Sequence, residues 1–158
     1  MNTTTPGFTD VQTTTTLQKT VVQVCSQLEG FLCAIASNGT LLKAIQTTFG
    51  DRFNPDKLEY LRQDWETYCF ESLPQIEICN SEEIHGLNSL FSPDRRTIYL
   101  AQEYICWKST QTCDIIVALL EAIGCFIDYE IESFNSNWGQ GLLLAESLVR
   151  VETKCNCQ

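Results

Sequence analysis

The chain has 158 residues and a net charge of −10, with 20 acidic side chains against 10 basic ones and a single histidine. That length suits one domain whose core can stand without staples. The charge, with no lysine or arginine cluster to override it, speaks against nucleic acid and anionic membranes as partners. No D-x-[DN]-x-[DN]-G loop and no glycine-rich repeat marks a calcium site.

Residues 1–16 are rich in threonine and poor in apolar side chains, which predicts a disordered lead-in. They lack the cationic and apolar stretches of a secretory signal. The longest apolar run, Ile115 to Ile127, is short of the ~20 residues that a spanning helix needs. The expectation is a soluble, cytoplasmic chain with one domain over residues 17–152 and a polar tail over 153–158.

From Leu17 to Ala36 apolar residues recur at steps of three and four, the spacing of a helix, and Asn38-Gly39 supplies a stop. A short helix follows from Leu41 to Phe49, ending at Gly50. A third has Asn54 as cap, Pro55 in its first turn, and a stripe of Leu58, Leu61, Trp65 and Tyr68. After Pro74 the period changes to two: "QIEI" reads as a strand, as does "TIYLA" at Thr97–Ala101. "SPDRR" between them carries turn chemistry. A long apolar helix starts at Ser109 or Thr112 and runs to about Glu132. "NSNWGQG" reads as a loop, and "LLLAESLV", Leu142–Val149, as a last helix. Helices, two strands, then helices define an α+β domain with a small sheet.

Nine cysteines without a secretory signal predict mostly reduced thiols used as small core residues, with Cys25, Cys33, Cys106 and Cys125 in apolar surroundings. The polar tail pair, Cys155 and Cys157, has no second C-x-x-C or histidine pair to complete a tetrahedral zinc set. His85, the lone histidine, reads as an exposed loop residue. Trp65, Tyr68, Trp107 and Trp138 read as core or rim packing before they read as a groove.

The long apolar helix keeps one charge between Ile115 and Ile127, namely Glu121. An ionised carboxylate on a buried helix is costly unless it is paired or bound to a cation. Glu121 shares a face with Cys125 and Asp128, so that face is expected to look to solvent or a cleft.

Five segments in order carry a resemblance: "FGDRFN" at Phe49–Asn54, "LPQIEI" at Leu73–Ile78, "TIYLAQE" at Thr97–Glu103, "LLEAIGCFID" at Leu119–Asp128, and "WGQG" before the last helix. Over roughly residues 40 to 150 the chain resembles the metallopeptidase-like N-terminal domain of cyanobacterial haemolysin-type calcium-binding repeat proteins. The resemblance implies a zincin-like fold, mostly helical, with a small sheet packed on a buried helix. It also implies a metal-binding E-E-x-x-H turn, a variant of H-E-x-x-H, and a later G-D-E-G supplying a carboxylate. Glu121 and Asp128 match that pattern. Ala122 stands where the general base belongs, Cys125 where the histidine belongs, and Gly139 and Gln140 where the Asp and Glu of G-D-E-G belong. Alanine takes no proton, and losing a general base removes ~10²–10⁴ in rate.

The expectation is a pseudopeptidase, a non-catalytic binding or scaffold domain, with no cofactor beyond zinc in reach. Its partner would be a peptide or protein segment laid along an edge strand such as "TIYLA". Two alternatives stand beside it. One is a metal-dependent hydrolase with an atypical zinc site of Glu121, Cys125 and Asp128 or Glu132. The other is a thiol-reactive, redox-responsive protein built on the cysteines and the "CNC" tail.

Overall fold

The computed structural model describes residues 8–108, 111–131 and 139–156. Helix α1 (Phe8–Ser37), α2 (Thr40–Phe49) and α3 (Pro55–Glu66) precede strand β1 (Gln75–Cys79) and a 3₁₀ turn at Ser81–Ile84. Strands β2 (Ser89–Ser92) and β3 (Thr97–Ala101) follow, then α4 (Gln102–Trp107), α5 (Thr112–Glu130) and α6 (Gly139–Asn156). The architecture is α+β, mostly helical, as the patterning predicts.

Local chemistry explains the helix starts. The Asn38 side-chain oxygen accepts the Thr40 N–H at 2.9 Å, and Gly39 takes the left-handed conformation (φ 84°) that turns the chain from α1 into α2. Asn54 caps α3 by accepting the N–H groups of Asp56 and Lys57 at 3.0 and 3.3 Å, with Pro55 in the first turn. The Asn54 N–H itself donates to the Ile131 carbonyl at 2.8 Å, fastening the start of α3 to the end of α5.

The sheet has the order β1-β3-β2. β1 pairs with β3 in parallel, Gln75 opposite Thr97. β2 and β3 form an antiparallel hairpin with Ser92 opposite Thr97, closed by the Pro93–Arg96 turn, where the Arg96 N–H meets the Pro93 carbonyl at 3.2 Å. "TIYLA" is thus the central strand and offers no edge. It pairs on both sides, and its Ile98 and Leu100 are fully buried. The edges are β1 and β2; β2 was invisible to periodicity because "SLFS" is short and half polar.

The sheet rests on α5. Phe91 of β2 stacks edge-on against Phe126 with ring centroids 5.6 Å apart, and the Ser89 hydroxyl donates to the Ala118 carbonyl. Behind α5 lies α6, so close that side chains are nearly excluded. A Cβ on Gly124 would meet the Gly141 carbonyl oxygen, the Ala145 Cβ at 2.7 Å and the Ala145 N at 2.9 Å.

Several boundaries differ from the sequence expectation. α1 begins at Phe8, so the threonine-rich residues 8–16 are helical rather than disordered; residues 1–7 lie outside the described part. Extending a helix already anchored by packing carries no nucleation cost, so poor helix formers are carried along. α6 begins at Gly139, inside the expected loop, because Gly141 is needed at the crossing with α5. The same helix runs through residues 153–156, part of the expected tail. α1 also holds a segment, Thr15–Ser37, long and apolar enough to cross a membrane by length and composition. The expectation that no such segment exists is corrected; its sparse charges, not a solid apolar run, set its hydropathy. In this fold one face of the segment, with Val24, Leu28, Leu32 and Ile35, is buried in the core.

Candidate functional site

α5 places Glu121, Cys125 and Asp128 on one face at steps of four and three. Glu121 is exposed, and Cys125 and Asp128 are half-buried. The one charge of the apolar stretch is thus at the helix surface. Ala122 points the other way, into the core, at 3% exposure. α4 borders this face: the Tyr104 hydroxyl donates to the Asp114 carbonyl at 3.3 Å, and Lys108 pairs with the Asp114 carboxylate at 3.0 Å. α6 closes the other side. A Cβ on Gly141 would lie 2.9 Å from the Cys125 Cα, which brings neighbouring Gln140 beside that turn. The Gln140 Oε1 is buried with no hydrogen-bond partner.

The electrostatics favour neutral groups. Partial loss of hydration raises the Glu121 carboxyl, although solvent still reaches it. Burial, then Asp128, then Glu121 push the Cys125 thiol up to about 11. Burial first, then Asp114 and Glu121, raise the Tyr104 phenol.

These residues fit a metal poorly. Glu121, Cys125 and Asp128 share a face without converging: among the described residues no three His, Cys, Asp or Glu side chains group as ligands would. A protonated thiol and a glutamine amide are weak donors for zinc beside a thiolate or imidazole. Glu132, the other ligand considered, and Trp138 lie outside the described residues.

The remaining sequence candidates scatter. His85 is exposed and ends the 3₁₀ turn in the left-handed region (φ 58°). Trp65 is fully buried, whereas Trp107 is 74% exposed and Tyr68 53%. Glu83 closes a capping box with Asn80. A separate cavity of about 530 Å³ opens between α1, the start of α5 and Val151, lined by Gly30, Phe31, Thr112 and Cys113, far along α5 from Glu121. No family model, no curated protein and no solved structure matches this chain.

The thiols divide by environment. Cys25, Cys33, Cys69, Cys79, Cys106 and Cys125 are free. Cys106 is exposed rather than set in apolar surroundings, because α4 turns it away from Ile105, which is the buried residue of that helix. Most of the described thiols are thus reduced, as expected, and Cys113 is disulfide-bonded. Only thiolate reacts with alkylating agents. At pH 8 a thiol with a pKa of about 11 is ~0.1% ionised, so iodoacetamide modifies the half-buried Cys125 at least ~10-fold more slowly than the exposed Cys106. The Cys125 rate keeps climbing to pH ~11, and Cys113 reacts only after reduction. Peptide mapping by mass spectrometry reads all three; rapid Cys125 labelling at pH 7 would contradict its buried, acid-flanked setting.

Proposed function

We propose that this chain is a non-catalytic binding domain related to metallopeptidases, a pseudopeptidase that has kept the helix-and-sheet frame without the hydrolytic machinery. The observation that carries the reading is the pair of residues on the α5 turn where base and ligand would stand. Ala122 is packed into the core and has no basic atom, and Cys125 holds its proton. Water activation at a metal needs a positioned proton acceptor and a set of electron-rich ligands. Glu121 alone supplies neither arrangement.

The test is direct. Purified protein is incubated with zinc and with a fluorescent casein, with and without a chelator. No chelator-sensitive cleavage is expected, and Glu121→Gln and Cys125→Ser retain the zinc content of the parent chain. Cleavage that a chelator stops, and that either substitution removes, overturns the reading in favour of an atypical zinc hydrolase.

A further inference from the structure

β1 is an open strand edge. The Gln75 N–H donates to the Arg96 carbonyl at 3.2 Å, and the parallel register sets Gln75 opposite Thr97. In a parallel ladder alternate residues direct both backbone groups to the same neighbour. Gln75, Glu77 and Cys79 therefore bond to β3, while Ile76 and Ile78 turn their N–H and C=O groups outward. Among the described residues no strand lies beyond them. An exposed row of unpaired backbone groups is a template for an added strand.

Apolar surface accompanies that edge. Ile78 is 38% exposed, and Ile76 lines a groove of about 280 Å³ with Val21, Cys25, Leu28 and Phe70. Acid surrounds both. Glu29 forms part of the groove wall. At the far end, Glu83, Glu103 and Glu77 all stand close enough to Cys79 to raise its thiol, after burial. Of the cations near this edge, Arg95 donates to the Tyr99 hydroxyl at 3.4 Å and Arg96 pairs with Glu130 at 3.2 Å.

We infer that the β1 edge and its groove bind an extended segment of another protein that is apolar at alternate positions and flanked by lysine or arginine. The segment adds a fourth strand through the outward groups of Ile76 and Ile78. Alternate apolar side chains enter the groove, since residues two apart share a face. The basic flanks meet Glu29 and the acids around Cys79, which selects against acidic strands and against a second copy of this acidic chain. The inference rests on the non-catalytic binding reading and gives it a surface and a ligand class.

The test uses the full chain and two fluorescein-labelled peptides, Lys-Val-Thr-Val-Thr-Val-Lys and its glutamate-flanked twin, followed by anisotropy. The lysine peptide binds, and the glutamate peptide binds at least ~10-fold more weakly. Ile78→Pro removes an outward donor but no ladder bond, so the fold is kept and binding is lost. The double variant Glu29→Lys/Glu77→Lys, which leaves the backbone edge intact, reverses the preference. Equal binding of the two peptides, no binding by ~1 mM, or sedimentation showing that the chain pairs with itself along this edge would each overturn the proposal. Chelator-sensitive cleavage of the bound peptide would instead refute the non-catalytic reading and leave the docking surface standing.

Discussion

Gly124→Ala lowers stability by about 3 kcal/mol, and Gly124→Val leaves the chain unfolded at physiological temperature. Overpacked positions in a dense interior usually cost about 1–3 kcal/mol, and this one lies at the upper end because the obstacles are backbone. The added methyl meets the Gly141 carbonyl oxygen and the Ala145 N, at 2.9 Å for the nitrogen, and neither can rotate away. The two helices must separate, which opens voids around Leu120, Leu144 and Leu148, all fully buried. For a chain of this size the alanine variant melts about 6–12 °C lower. Gly30→Ala is the matched control. Gly30 also lies inside a helix, α1, but a Cβ there meets nothing within 4 Å. Removing glycine's excess freedom then raises stability by about 0.5–1 kcal/mol. Equal effects at the two positions, read by thermal denaturation, would mean that α5 and α6 do not cross this closely.

Trp65→Ala costs about 3–5 kcal/mol, the range for truncating a large buried aromatic. Trp65 is fully buried in α3, whose apolar face packs on α1. Its indole N–H finds no partner. That orphan makes Trp65→Phe informative. Phenylalanine leaves a small void but removes a buried donor whose lost hydration costs about 1–3 kcal/mol. The two effects offset, so the phenylalanine variant stays within about 1 kcal/mol of the parent in urea titration. If phenylalanine costs as much as alanine, the N–H is satisfied in solution.

The long elements were legible because their signals are redundant. Asn54-Pro55 and the Leu58, Leu61, Trp65 stripe name α3 twice over, and the apolar run from Ile115 to Ile127 could only be a buried helix once flanked by turns. What escaped needed tertiary information. β2 is four residues long and exists through its pairing with β3 and the stacking of Phe91 on Phe126. The central place of "TIYLA" follows from two partners at distant positions, so periodicity alone could not rank it above β1. At the site, the shared face of Glu121, Cys125 and Asp128 was readable from spacing, as was Glu121's need for solvent. The core-facing direction of Ala122 was not, nor was Tyr104 at its border, since which side of α5 carries the sheet is not written in its nearly uniform apolar pattern. Gly124 and Gly141 offered the one missed clue: glycines inside apolar helices seldom lack a packing reason.

The bond from the Asn54 N–H to the Ile131 carbonyl has a topological meaning. The chain enters the sheet-bearing stretch and leaves it at nearly the same point, 2.8 Å across a single hydrogen bond. Residues 54–131 are therefore shaped as an insert rather than a link, with α1 and α2 on one flank and α6 on the other. α2 packs directly on α6, and α6 packs still more extensively on α5, so the stretch shares one core with both of its flanks. Its ends are close, but its helix α5 supplies the centre of the one core, so the stretch and its flanks form a single folding unit.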